Sequence, residues 1–205
     1  LDVLVLDDNA HTGGQLLRDP SHGAAKERFE PDPLKRRGYR MVQRLHTGRV
    51  RFLHGVQVVG IFPERTLLAA DSRDGCTEYR SDALILATGA RERQLPFPGW
   101  TLPGVMATGA AQILMKSSGV FPGKKTLIGG CSPLMLVLAA QILTNGGKVQ
   151  AVLDQSGIAN KLAAFTAGPA VGPKLFEGAF YLARLIAARV PMHQGVRIVQ
   201  ARGRD

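Results

Sequence analysis

Short unbroken apolar runs punctuate this chain, and each stops at an acid or a glycine. Asp2-Val-Leu-Val-Leu6 ends at Asp7 and Asp8, and Leu84-Ile-Leu-Ala87 ends at Thr88-Gly89. Lys125-Thr-Leu-Ile-Gly129 runs into a glycine turn, and Lys148 to Asp154 ends in an acid. Runs of this length, continuous and rich in β-branched residues, predict buried strands. Between residues 49 and 80 the pattern predicts shorter strands: Arg49–Leu53, Val56–Phe62, Thr66–Ala70 and Cys76–Arg80. Asp74-Gly75 is the core of a hairpin turn that closes the last pair. A further strand is expected over Asp82–Ala87, and a last one near Val196–Val199.

Helices are expected at about 34–46 and 105–118, and a strongly apolar one at 134–145, stopped by Asn145-Gly-Gly147. Residues 16–46 are polar and basic, with Pro20, Pro31 and Pro33 barring a long helix. Pro96, Pro98, Gly99 and Pro103 mark residues 91–104 as a crossover loop. After Asp154 the pattern is helical, broken at Gly168-Pro169 and Gly172-Pro173. The segment 125–154 is a β-turn-α-β unit of the length that holds one mononucleotide. Residues 2–15 read as the second half of another such unit. The chain opens inside a strand and without Met, so a fragment of a longer reading frame is expected.

Composition narrows the class. At 205 residues, 45% apolar and 20% charged, the chain fits a soluble globular protein of one or two domains. No apolar run approaches the roughly 18 residues of a membrane span. The net charge is +10, but only Lys35-Arg36-Arg37 cluster and aromatics are 6%, so no nucleic-acid partner is expected. Cys76 and Cys131 form no CxxC pair and fit a reducing cytoplasm. No HxH, HExxH or Ser-His-Asp pattern occurs, so neither a metal site nor an activated nucleophile is expected; the catalytic residues stay unassigned.

The candidate chemistry is cofactor binding. An acid at the carboxyl end of a parallel strand can accept hydrogen bonds from ribose hydroxyls, and Asp8 and Asp154 both fit. A solvated acid at a strand end is common in any α/β protein. Gly13-Gly14 beside His11 forms a glycine turn. Gly129-Gly-Cys-Ser-Pro133 sits where a pyrophosphate loop belongs, with Gly130 at the first fingerprint position. Ser132 and Met135 replace the second and third glycines, so the fingerprint is degraded, and Met135 is expected to push its helix away from the strand. Ala87 and Gly89 leave backbone open to a ligand.

In order and spacing these elements resemble the pyridine nucleotide-disulfide oxidoreductase superfamily of two-dinucleotide-domain flavoproteins, over residues 1–156. The anchors are Val5-Leu-Asp-Asp8, Gly13-Gly-Gln15, Ala87-Thr-Gly89 and the Gly130 to Asp154 unit. Leu84 to Arg93, Pro96-Phe-Pro-Gly-Trp100, Leu102-Pro-Gly-Val105 and Gly109-Ala-Ala-Gln112 are similar to the α subunits of heteromeric amine and imino-acid dehydrogenases. That group includes the opine oxidase A subunit, dye-linked proline dehydrogenase, the hydrogen cyanide synthase B subunit and the sarcosine oxidase α subunit.

The resemblance implies an α/β fold of two Rossmann-like three-layer domains with a β-meander insertion. Residues 1–98 would be a partial FAD-binding domain, its first strand and GxGxxG loop lying outside the chain. Residues 99–205 would be an NAD(P)-binding-like domain. Asp8 would bind the adenosine ribose of FAD, and Gly13, Gly14 and Gln15 would line the flavin. Val58 would face the adenine, and Thr88 and Gly89 the pyrophosphate. Gly130, Ser132 and Asp154 would serve a second site for NAD(P) or another adenine nucleotide. The absent CxxC argues against a disulfide reductase.

The resulting expectation is an FAD-dependent oxidoreductase, inactive as a fragment. It would be an α-subunit-type component of an opine, proline, sarcosine or glycine dehydrogenase. A β subunit of flavoprotein amine oxidase type would oxidise the small-molecule substrate. The alternatives are an NAD(P)H-dependent flavin reductase and a non-catalytic, nucleotide-holding scaffold subunit.

Overall fold

The computed structural model describes residues 2–17, 36–45, 49–71, 75–156 and 172–203, with the side chains of 36, 37 and 172–175 left aside. The chain divides into two compact units. The first holds Leu1–Asp19 and Lys35–Arg91, and the second holds Glu92–Asp205.

In the first unit, strand β1 (Val3–Asp7) pairs in parallel with β2 (Val50–His54), in register from Val3 opposite Val50 to Asp7 opposite His54. Helix α1 (Arg36–Leu45) lies between them in sequence, as a parallel connection requires. Gly55, at φ +71, turns the chain out of β2 into a three-stranded antiparallel meander. That meander is β3 (Val56–Phe62), β4 (Thr66–Asp71) and β5 (Gly75–Arg80), in the order β3-β4-β5. The tight link Pro63–Arg65 holds Glu64 and Arg65 at positive φ, 61° and 57°. Asp71 pairs with Gly75, so the hairpin closes where Asp74-Gly75 predicts, although Ser72 to Asp74 lie outside the described residues. Few apolar side chains are sequestered here: Val56 and Ala69 are buried, and β1 is only half-buried.

The second unit has the denser core. Strand β6 (Thr126–Gly130), helix α3 (Leu134–Thr144) and β7 (Val149–Asp154) form the expected β-turn-α-β unit. A short β8 (Met192–Gln194) extends the parallel sheet to the order β6-β7-β8. Helix α2 (Thr108–Ser118) and helix α4 (Gly172–Ala187) both pack on α3. Ile142 and Leu185 are fully buried among Met115, Ile128, Val152 and Tyr181. Each such side chain contributes about 1.5–3 kcal/mol relative to exposure. Gly119 ends α2 in the left-handed region, with its N–H on the carbonyl of Met115.

Three expectations need correction. Asp82–Ala87 is not a strand: the run is extended without a partner, with Ile85 86% and Leu86 63% exposed. A strand exists only by pairing, and among the described residues no strand pairs with this one. The last strand falls at Met192–Gln194, not Val196–Val199. The β7–β8 pairing ends at Asp154 opposite Gln194; Gly195, at φ +68, turns the chain, and beyond it only the Val196 N–H reaches back, to the Asp154 carbonyl at 3.3 Å, among the described residues. Gly172-Pro173 does not break a helix but begins one, since proline is tolerated in a first turn that lacks N–H partners anyway. Gly168-Pro169 lies outside the described residues.

Candidate functional site

The best-formed polar constellation lies at the carboxyl end of the β1–β2 pair. Parallel strands present open backbone and side chains there, where ligands of α/β folds bind. Asp7 and Asp8 end β1, and the Asn9 side chain ties them together. Its amide nitrogen donates to Asp7 Oδ1 at 2.9 Å and to Asp8 Oδ1 at 2.7 Å, and its backbone N–H also donates to Asp7 Oδ1. The Asn9 carbonyl accepts the N–H of Gly55, just beyond β2. The two strand ends are thereby locked while the Asp8 carboxylate stays exposed.

Residues 11–17 form a compact turn. Gly13 sits at φ +116, and a Cβ on it would lie 2.7 Å from the Leu17 carbonyl oxygen. That carbonyl clash and the positive φ make glycine obligatory there, while the Gly13 carbonyl accepts the Leu17 N–H at 3.0 Å. Gly14 is also in the left-handed region, at φ +57, but a Cβ on it would meet nothing within 4 Å. Its face is open space. Gln15 is exposed beside it.

Two residues that carry no signal in the sequence complete this region. The Thr12 hydroxyl lies 3.4 Å from His54 Nε2, joining the glycine turn to the end of β2. The His54 ring stacks on Phe52, centroids 5.9 Å apart and nearly parallel at 5°. Its Nδ1 is buried without a hydrogen-bond partner among the described residues. His54 sits directly opposite Asp7 in the register, a signal readable only once the strands are paired.

The remaining first-unit candidates are dispersed. Val58 lies on β3 at an irregularity in the β3–β4 register, 39% exposed. Thr88 and Gly89 lie on the unpaired run, both exposed, with Gly89 at φ +74 and open space on its Cβ side. The groups at the β1–β2 end fit an adenine dinucleotide in chemistry: an exposed carboxylate, an open glycine face and a buried polar atom lacking a partner among the described residues.

The turn after β6 has less to offer. Ser132 Oγ accepts the Leu134 N–H at 3.2 Å, which satisfies one of the open donors of α3. Asp154 Oδ1 accepts both the backbone N–H at 2.8 Å and the hydroxyl of Ser156. A Cβ on Gly130 would lie 3.2 Å from the Met135 sulfur, and Met135 itself is buried in the core. The methionine at the degraded fingerprint position is thus taken up in the space that Gly130 leaves. Beyond this, the described residues contain no cluster of three metal-ligating side chains. Both cysteines are free and exposed. No helix among the described residues is long and apolar enough to cross a membrane.

Comparison with known proteins agrees with this architecture. The family model described as pyridine nucleotide-disulphide oxidoreductase matches residues 1–164. The A subunit of opine oxidase from Agrobacterium tumefaciens (strain Ach5) is 33% identical over 159 residues, covering 74% of this chain and 32% of the relative. Hydrogen cyanide synthase subunit HcnB of Pseudomonas aeruginosa is 32% identical over 207 residues, covering 98% of this chain and 43% of the relative. The chain therefore spans about a third to two-fifths of the length of these relatives. Among solved structures, L-proline dehydrogenase from P. horikoshii superposes with a TM-score of 0.57 at 19% identity, covering 75% of this chain and 31% of that one. A NAD-dependent persulfide reductase from A. fulgidus gives 0.58 at 17%, covering 100% and 37%. These structural likenesses show a Rossmann-like α/β fold.

Proposed function

Because the chain belongs to the pyridine nucleotide-disulphide oxidoreductase family, we propose that it is part of an FAD-dependent oxidoreductase, the α-subunit-type component of a heteromeric amine or amino-acid dehydrogenase. The observation that carries this reading is the identity of 32–33% to proteins named as subunits of opine oxidase and hydrogen cyanide synthase. The α subunit of a sarcosine oxidase is also similar, at 27%. The substrate would be a small secondary amine or amino acid such as an opine, proline, sarcosine or glycine, oxidised on a partner β subunit. Two free, exposed thiols support a reducing compartment such as the cytoplasm.

FAD, when bound, supplies the redox chemistry, and the residues of this chain bind and orient it. Asp8, exposed and held by Asn9, accepts hydrogen bonds from the adenosine ribose. Gly13, Gly14 and Gln15 line the flavin side, where the open face of Gly14 lets backbone approach the ring. Val58 faces the adenine, and Thr88 and Gly89 pass the pyrophosphate. These contacts belong to a partial FAD-binding domain over residues 1–98. Residues 99–205 form the second nucleotide-binding domain, with Gly130, Ser132 and Asp154 at its site for NAD(P) or another adenine nucleotide.

The full-length protein should purify yellow, with FAD released on denaturation. Asp8→Ala should weaken FAD binding about tenfold or more, as expected for losing a charge-assisted hydrogen bond. Flavin fluorescence titration measures it, and an unchanged Kd would rule out Asp8 as the ribose ligand.

A further inference from the structure

We propose that His54 is a positioning residue for the cofactor, acting through Thr12 to hold the glycine turn at the end of β2. The inference rests on the reading that Gly13, Gly14 and Gln15 line the flavin. The position of His54 is anomalous. The residue ends an apolar strand and stacks on Phe52, a place a leucine or phenylalanine would fill with no polar atom to bury. Yet Nδ1 is buried with no partner among the described residues. A buried polar atom left unsatisfied is costly and calls for a compensating role.

The other ring nitrogen supplies that role. Nε2 lies 3.4 Å from the Thr12 hydroxyl, at the loose end of hydrogen-bond geometry. Thr12 immediately precedes Gly13 and Gly14, both of which sit at positive φ. A turn built on two glycines has little backbone preference of its own. The internal Leu17 to Gly13 hydrogen bond closes the turn on itself and does not aim it. Contact with His54 supplies the aim, because β2 is fixed against β1 over five paired residues. Asp7, opposite His54, is engaged by Asn9 through its Oδ1. The His54–Thr12 pair thus ties the flavin-side glycines to the paired strands.

The test uses the full-length protein and its FAD. Thr12→Val and His54→Leu keep the shape and remove the pair; Thr12→Ser restores the hydroxyl. The two disrupting variants should each raise the Kd for FAD about tenfold and alter the vibronic shape of the bound-flavin absorbance band. Thr12→Ser should stay within about twofold of wild type. The Thr12→Val/His54→Leu double variant should be no weaker than the worse single, since both remove one interaction. Disrupting variants with wild-type Kd and band shape, or additive losses in the double variant, would overturn the inference while leaving the cofactor reading intact. A wild-type protein that takes up no FAD would overturn that reading, and the inference with it.

Discussion

Individual residues at the β1–β2 end show how much a single backbone angle can decide. Gly13 combines φ +116 with a carbonyl 2.7 Å from where a Cβ would stand. Gly13→Ala should therefore cost about 1–3 kcal/mol of local strain, which the turn would relieve by opening. The expected outcome is a large loss of FAD affinity with a small drop in Tm, read by fluorescence titration and calorimetry. Gly14→Ala meets open space, leaving only its positive φ as a penalty, and should fold with a smaller loss. Asp8 and the two glycines were legible in the sequence because acids at strand ends and paired glycines are local signals. Thr12 and His54 were not, because their meaning depends on a contact between residues 42 positions apart.

Elements followed the apolar pattern wherever a run had a partner to bury against. The predicted Val56–Phe62 strand matches, and the helix expected at 134–145 is found at Leu134–Thr144. Failure came at Leu84–Ala87, where the pattern was strong but no neighbouring strand lies beside it among the described residues. Periodicity reports what a segment would bury, not whether the burying surface is present. The relatives extend well beyond the matched region, and in the full-length protein this run should be covered. Amide exchange over 84–87 should then be slow there and fast in residues 1–205 alone. Ile85→Lys should destabilise the full-length protein by about 2–4 kcal/mol, as burial of a charge does, and leave residues 1–205 nearly unaffected. Equal exchange in both would contradict the expectation. At Val196–Val199 the apolar signal was real too, with Ile198 packing against Gly129, but the neighbouring strand had already ended at Asp154.

At the scale of the whole molecule, two units with unequal cores share one chain. The second has a continuous cluster of buried side chains, whereas the first relies on strand pairing around few buried residues. Residues 1–205 alone should accordingly bind FAD weakly, and tight stoichiometric uptake would contradict that. The fold class was readable from the order of strands, turns and helices. A partner and a substrate were not, because under the proposed function the chain holds the cofactor and need not touch the amine. Under the proposed function the flavin takes electrons from an amine oxidised on a partner chain rather than from a nucleotide at the second site, whose fingerprint is degraded at Ser132 and Met135. The most direct test of that reading is anaerobic reduction of the full-length protein, co-purified with its partner, followed through the oxidised-flavin absorbance band. An opine, proline, sarcosine or glycine should bleach the band rapidly while NADH and NADPH leave it nearly unchanged. Rapid bleaching by NADH or NADPH, with no response to any amine, would contradict it.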